Sequence, residues 1–108
     1  MEGDMKTFAE KAYDLLRKVP EGRVTTYKEI AHALGTKSYR AVGQAMKNNP
    51  YAPEVPCHRV VSSSGGMGGF RGKTSGKEIQ EKIKMLRKEG IKFRGEKVED
   101  FEKVIFRF

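Results

Sequence analysis

Gly35 and Pro50 constrain this chain more than any other residues, because each closes a helix-forming segment at a fixed place. Thr26-Tyr27-Lys28-Glu29 has the spacing of a capping box, in which threonine and the glutamate three positions on satisfy backbone N–H groups at a helix start. Ile30, Ala31, Ala33 and Leu34 follow as apolar positions, and Gly35 suits the left-handed residue that ends a helix. After the turn Thr36-Lys37, Ser38 is the expected N-cap of a second helix over about Tyr39–Lys47, with Ala41, Val42, Ala45 and Met46 as its apolar face. Asn48-Asn49-Pro50 stops that helix, since proline disfavours helical backbone at the residue before it. Two short helices joined by a glycine-containing turn predict a helix-turn-helix. A plain αα-hairpin is the commoner reading of such a pair; Arg40 and the local charge favour nucleic acid.

Two further helices are marked by the same signals. Thr7-Phe8-Ala9-Glu10 is a capping box, followed by Phe8, Ala12, Leu15, Leu16 and Val19 at helical spacing and a turn at Pro20-Glu21-Gly22. Arg23-Val24-Thr25 is expected to be a brief strand. Ser75-Gly76-Lys77-Glu78 is read as a third capping box, opening a helix with the stripe Ile79, Ile83 and Leu86 that ends at Gly90. Glu89 in its last turn opposes the helix macrodipole, at about 0.3–1 kcal/mol if exposed. That position suits an indifferent surface residue or one kept for a second purpose. The tail, 93–108, alternates charge with Val98, Phe101, Val104, Ile105, Phe106 and Phe108, and reads as a helix or strand capping the core. The expected architecture is mainly α with short β-strands, a winged-helix-like domain containing a helix-turn-helix. One domain over 1–108 is expected, with its core at about 7–92 and 93–108 as a C-terminal extension.

Charge is unevenly placed. The formal net charge is +8, yet residues 1–35 hold six positive and six negative side chains and residues 93–108 four of each. Residues 36–61 carry four positive and one negative, and 62–92 eight positive and three negative. The excess is confined to the middle, which points to an electrostatic footprint for nucleic acid over a merely solvated surface. No segment is apolar enough to span a membrane. The polar, acidic start Met1-Glu2-Gly3-Asp4 argues against a secretory leader.

The middle also holds the only cysteine, in Pro56-Cys57-His58-Arg59-Val60-Val61. One cysteine excludes an internal disulfide and a cysteine-rich zinc site, so a reducing compartment is expected. The thiolate is the reactive form of cysteine, and an adjacent imidazole can take the proton directly or through one water. Taken alone, a lone cysteine is more often a small buried hydrophobe, and neighbours on an extended segment point to opposite faces. Pro53 and Pro56 are expected to keep the approach to Cys57 extended and stiff. Ser62 to Gly72 is glycine-rich but lacks the Gly-Lys-Ser/Thr of a phosphate-cradling loop, and suits a mobile loop closing over a ligand.

Together these six residues resemble the active-site signature of the O6-alkylguanine-DNA alkyltransferases, which carry an alkyl group from damaged guanine to their own cysteine. The likeness runs from about Phe8 to Gly90. Gly22-Arg23-Val24-Thr25-Thr26-Tyr27 resembles the segment leading into the family's DNA-binding motif, and Arg40-Ala41-Val42-Gly43-Gln44-Ala45-Met46 its recognition helix. Asn48-Asn49-Pro50 matches its Asn-Pro hinge, Gly69-Phe70-Arg71-Gly72 resembles its active-site loop and Glu89-Gly90 its final carboxylate.

The resemblance implies a role for each position. Cys57 would accept the alkyl group, once. His58 would be the base, through a bridging water, with Glu89 orienting it. Asn49 would hold the turn between the recognition helix and the active-site strand. Tyr27 would offer its hydroxyl to the flipped guanine, and Arg40 would fill the gap left in the base stack. Lys37, Ser38, Ala41, Gly43 and Lys47 join Tyr27 and Arg40 as the expected DNA-binding set. Pro56, Val60, Met67, Phe70 and Arg71 are the expected pocket, with main-chain groups near Cys57, Val60 and Arg71 reading the guanine edges. The implied partner is double-stranded DNA carrying O6-alkylguanine, met in the minor groove by a cytoplasmic, nucleoid-associated monomer without cofactor or metal. The family's additional N-terminal domain, zinc-binding in some members, is not expected, because the chain starts almost at the first helix. Phe70 stands where some members have tyrosine and Arg71 where some have serine.

Two other readings compete. Alkyltransferase-like proteins are similar in length and flag lesions without transfer, but usually replace the acceptor cysteine, which Cys57 argues against. A helix-turn-helix regulator with a merely buried cysteine leaves Tyr27, His58 and Glu89 unexplained.

Overall fold

The computed structural model describes residues 6–108, so the acidic start at Met1–Asp4 lies outside the described residues. Helix α1 spans Phe8–Leu16, and its capping box is complete: the Thr7 side chain accepts from Glu10 N while the Glu10 carboxylate accepts from Thr7 N. Strand β1 is Thr25–Thr26, starting two residues later and ending one residue later than the strand expected from sequence, and leads directly into α2, Tyr27–Ala33. The Thr26 side chain accepts from Glu29 N. The Glu29 carboxylate lies 3.5 Å from Arg107 Nε, a partner 78 positions on that no local motif could announce. Gly35 has φ +74 and closes the helix, with Thr36 N donating to Ala31 O. Ser38 then caps α3, Tyr39–Lys47, accepting from Ala41 N. Helices α2 and α3 pack on each other and on α1, giving the helix-turn-helix that the capping pattern predicts.

The chain between α3 and the cysteine is not extended. Residues 50–54 form turns, and Cys57–Arg59 is a single 3-10 turn. Prolines fix φ without fixing extension, so Pro53 and Pro56 accommodate this tight path. Cys57 and His58 therefore sit on a turn and not on opposite faces of a strand. Strand β2, Val60–Val61, follows at once and pairs in parallel with β1, Thr25 opposite Val60 and Thr26 opposite Val61. That register brings the start of α2 alongside the strand that follows Cys57.

Helix α4 spans Lys77–Lys88. The expected box at Ser75 is not formed: Gly76, at φ +85, is the N-cap and no side chain caps it. Ile79, Ile83 and Leu86 are buried as the stripe predicts, and Lys82 is buried among them with no exposed surface. Strands β3 (Phe93–Arg94) and β4 (Lys97–Val98) form a short antiparallel hairpin, and α5 spans Phe101–Val104. The tail is more than a cover. Val98 and Ile105 are buried, Val24 pairs with Ile105, and Phe106 N donates to Val24 O.

The buried side chains form two clusters. Ala12, Leu16, Ile30, Val42, Val55 and Val60 anchor the one under the first three helices. Val24, Val61, Met67, Ile79, Ile83 and Leu86 anchor the other, under α4. Cys57 touches both and lies on the seam between them.

Candidate active site

A cavity of about 600 Å³ opens on this seam, between the start of α2, the exposed face of α3 and the glycine-rich loop. Cys57 lines it, with Tyr27, Arg40, Gly43 and Lys47 from the helix-turn-helix and Phe70 and Arg71 from the loop. Lys28 and Lys73 line it too, so five cationic side chains surround the thiol. Of these, only Arg71 has a carboxylate partner among the described residues, Glu81 at 2.6 Å. Uncompensated positive charge around a cleft favours anionic ligands.

Three layers hold the thiol in place. Cys57 N donates to Val55 O at 2.8 Å, and Asn49 Nδ2 donates to the same carbonyl at 2.8 Å. Asn49 Oδ1 in turn accepts from Tyr51 N, so one amide ties the end of α3 to the approach to Cys57. The next residue, His58, is buried, and its Nε2 lies 2.8 Å from Glu89 Oε2. Arg59 adds a fork on the same carboxylate, Nε to Oε1 and Nη2 to Oε2 at 2.9 Å each. Its Nη1 donates to Val19 O. Burial works to raise the Glu89 carboxyl, but the bonds and charges of Arg59 and His58 outweigh it and hold the group below its ordinary range. An ionised carboxylate only accepts, so the proton on this contact is His58 Nε2–H. His58 Nδ1 then carries the free lone pair. Burial lowers the imidazole below its ordinary 6.5, and the Glu89 contact opposes this without cancelling it. His58 is thus a neutral, oriented base at neutral pH.

Tyr27 faces the loop. Its hydroxyl lies 3.3 Å from Gly69 O and accepts from Gly69 N at 3.4 Å. Burial raises the phenol above 10, with Gly69 and Cys57 acting in opposite directions. Gly68, at φ +70, approaches the ring so closely that a Cβ there would stand 2.8 Å from Tyr27 Cε2. Arg71 adopts φ +53 and lays its guanidinium 4.7 Å from the Phe70 ring centre.

The remaining residues singled out from sequence separate into two groups. Arg40, Gly43 and Lys47 lie on the cavity; Lys37, Ser38 and Ala41 do not, and Ser38 is occupied in capping α3. Phe70 and Arg71 reach the cavity. Pro56, Val60 and Met67 are buried behind it and do not line it. The Val60 carbonyl already accepts from Lys82 Nζ at 2.6 Å. Arg59 and Lys82, and Lys28 and Lys73 on the cavity wall, have no role in the reading from sequence. Arg59 sits inside the signature hexapeptide, and Lys82 breaks an otherwise apolar stripe. Each was visible as a charge where none was needed.

A helix-turn-helix whose second helix rims a cationic cavity lined by a thiol has the form of a DNA-binding domain. Residues 7–91 match the family described as 6-O-methylguanine DNA methyltransferase, DNA binding domain, and the chain belongs to that family. It is 50% identical over 86 residues to the methylated-DNA–protein-cysteine methyltransferase of Thermococcus kodakarensis, covering 79% of this chain and 45% of that protein. The chain spans about half the length of such curated methyltransferases. Among solved structures, S. pombe Atl1 bound to DNA containing O6-carboxymethylguanine aligns with TM-score 0.78 at 32% identity, over 96% of this chain and all of that one. The O6-methylguanine-DNA methyltransferase of Pyrococcus kodakaraensis KOD1 aligns with TM-score 0.67 at 45% identity, over 81% of this chain and 48% of that one. No described helix is long and apolar enough to cross a membrane.

Proposed function

We propose that the protein repairs DNA by transferring an alkyl group from O6-alkylguanine to Cys57, irreversibly and once per molecule. The observation that carries this reading is the chain of contacts behind the thiol: Cys57 on the cavity, His58 next to it, and His58 Nε2 fixed on the ionised Glu89. Helix α3 enters the minor groove and the damaged nucleotide turns out of the duplex into the cavity, at a cost of a few kcal/mol. Arg40 takes the vacated place in the stack. Cys57 gives its proton to His58 Nδ1 by way of a water. The S–C bond forms as the bond from the alkyl carbon to guanine O6 breaks, and the base leaves with the electron pair. The Tyr27 hydroxyl is placed to donate a proton to the departing base. The product thioether does not hydrolyse, which ends the activity of that molecule.

A second reading is recognition and flagging of the lesion without transfer. It is favoured by the alignment with Atl1 over nearly the whole chain. Intact-protein mass spectrometry after incubation with a duplex carrying one O6-methylguanine separates the two. A gain of one methyl group mapped to Cys57 is the expected result. An unchanged mass with tight, lesion-preferring binding would replace transfer with flagging.

A further inference from the structure

Lys82 is fully buried on the core face of α4, in a position that an apolar residue would fill at no electrostatic cost. Its ammonium has three N–H groups and meets three backbone carbonyls: Val60 O at 2.6 Å, Met67 O at 2.6 Å and Gly69 O at 2.9 Å. Val60 opens the strand that follows Cys57, whereas Met67 and Gly69 belong to the glycine-rich loop that forms the far wall of the cavity. Gly69 O is the oxygen that also faces the Tyr27 hydroxyl, and the ammonium lies 5.9 Å from the centre of the Tyr27 ring. One buried charge thus ties the nucleophile's strand, the loop and the tyrosine to a single point.

We propose that Lys82 is a positioning residue for alkyl transfer: its ammonium sets the gap between the thiol's strand and the pocket loop, and needs all three N–H groups to do so. This rests on the transfer reading for its effect on rate, but not for its effect on the loop. Donor count makes the clamp sensitive to protonation, because a neutral amine has two N–H groups for three carbonyls and turns a lone pair towards the third. Burial brings Lys82 down to about 7 from an ordinary 10.5, with Cys57 acting in the opposite direction. The titratable groups that face it are Tyr27 from α2 and Cys57 and His58 from the 3-10 turn. On its own helix, Glu81 is turned to Arg71 at the surface.

The test is single-turnover transfer at saturating O6-methylguanine duplex over about pH 5.5 to 9, with lesion binding measured separately. Lys82→Met is expected to slow transfer by roughly tenfold to a hundredfold, the cost of a misplaced reacting group, with lesion affinity unchanged. In the native protein the rate should fall on the alkaline side with a midpoint at about 7. Lys82→Arg stays charged and should lose that falling limb. Hydrogen exchange without DNA should show faster exchange at 62–74 in Lys82→Met and unchanged exchange in α1. A native rate with no falling limb, or the same limb in Lys82→Arg, would overturn the proposal. So would a loop that exchanges alike in both proteins. If the native protein transfers nothing, the transfer reading fails, and the exchange experiment still decides whether Lys82 clamps the loop. If Lys82→Met does not fold, Lys82→Arg and the native pH profile decide it.

Discussion

Asn49 and Cys57 donate to the same oxygen, the carbonyl of Val55, each at 2.8 Å. The side chain two positions beyond α3 and the backbone of the cysteine therefore share one anchor. The Val55 carbonyl thus links the residues that follow α3 to the backbone that carries the thiol.

Asn49→Ala removes the bond to that carbonyl and leaves Tyr51 N without its acceptor. Each lost bond is worth about 0.5–1.5 kcal/mol, so a total loss of roughly 1–3 kcal/mol is expected in urea unfolding. A change smaller than the lower figure would show that water replaces the amide without penalty.

Glu89→Gln keeps the size of the side chain but removes its charge and sets an NH2 donor against a donor of Arg59 or His58. Bonds to charged groups are worth about 1.5–3 kcal/mol, and the loss should approach that range because the carboxylate is only 15% exposed. Transfer should slow as His58 loses its orientation. Equal transfer rates in the two proteins would remove Glu89 from the mechanism while leaving it in the fold.

Cys57→Ala should abolish alkyl transfer and retain lesion binding, read by mass spectrometry and by fluorescence anisotropy on the same duplex. Transfer persisting in this variant would place the acceptor elsewhere.

Arg40→Ala should lower transfer from duplex DNA more than reaction with a free O6-benzylguanine base, because only the duplex has a stack to fill. Native binding should also weaken with salt, as phosphate contacts release counterions. An equal loss on duplex and free base would end the extrusion role of Arg40.

Stability should rise with pH, and the sign follows from three groups. Glu89, His58 and Lys82 are all held below their ordinary values. A lowered folded value means that the unfolded chain binds more protons, so stability is present above the unfolded value and lost as pH falls through the folded one. For Lys82 that window runs from 10.5 down to about 7, and for Glu89 it lies below 4.5. Thermal melts should therefore show Tm increasing from pH 7 to about 9.5, with a flatter rise in Lys82→Met. A rise of the same slope in that variant would assign the dependence to other groups. Stability and transfer rate thus move in opposite directions above neutrality.

Local signals made most of the helices legible before any coordinates. Thr7, Thr26 and Ser38 each cap the helix that their spacing announces, and Gly35 and Gly90 close theirs with positive φ. Ser75 misled because a glycine one position on took the cap at φ +85, where no side chain is needed. The pairing of Val24 with Ile105 joins residues 81 positions apart and leaves no local trace. The meeting of His58 with Glu89 was likewise carried by family resemblance, since nothing in a 31-residue separation predicts contact. Lys82 was legible in principle, as a charge inside the stripe of Ile79, Ile83 and Leu86, but a stripe is read for its apolar members and the lysine between them carries no local signal of burial.

Lys82 and Glu89 stand seven residues apart along α4, about 10 Å of helix rise, and both act on the four residues from Cys57 to Val60. The helix therefore works as a gauge of fixed length. Insertions or deletions between Phe70 and Gly76 would be absorbed by the loop, whereas one residue added between Lys82 and Glu89 would turn one contact about a quarter-turn away from the other. In a redesigned pocket the seven-residue interval, and the Met67–Gly69 segment that Lys82 holds, are the dimensions to leave untouched.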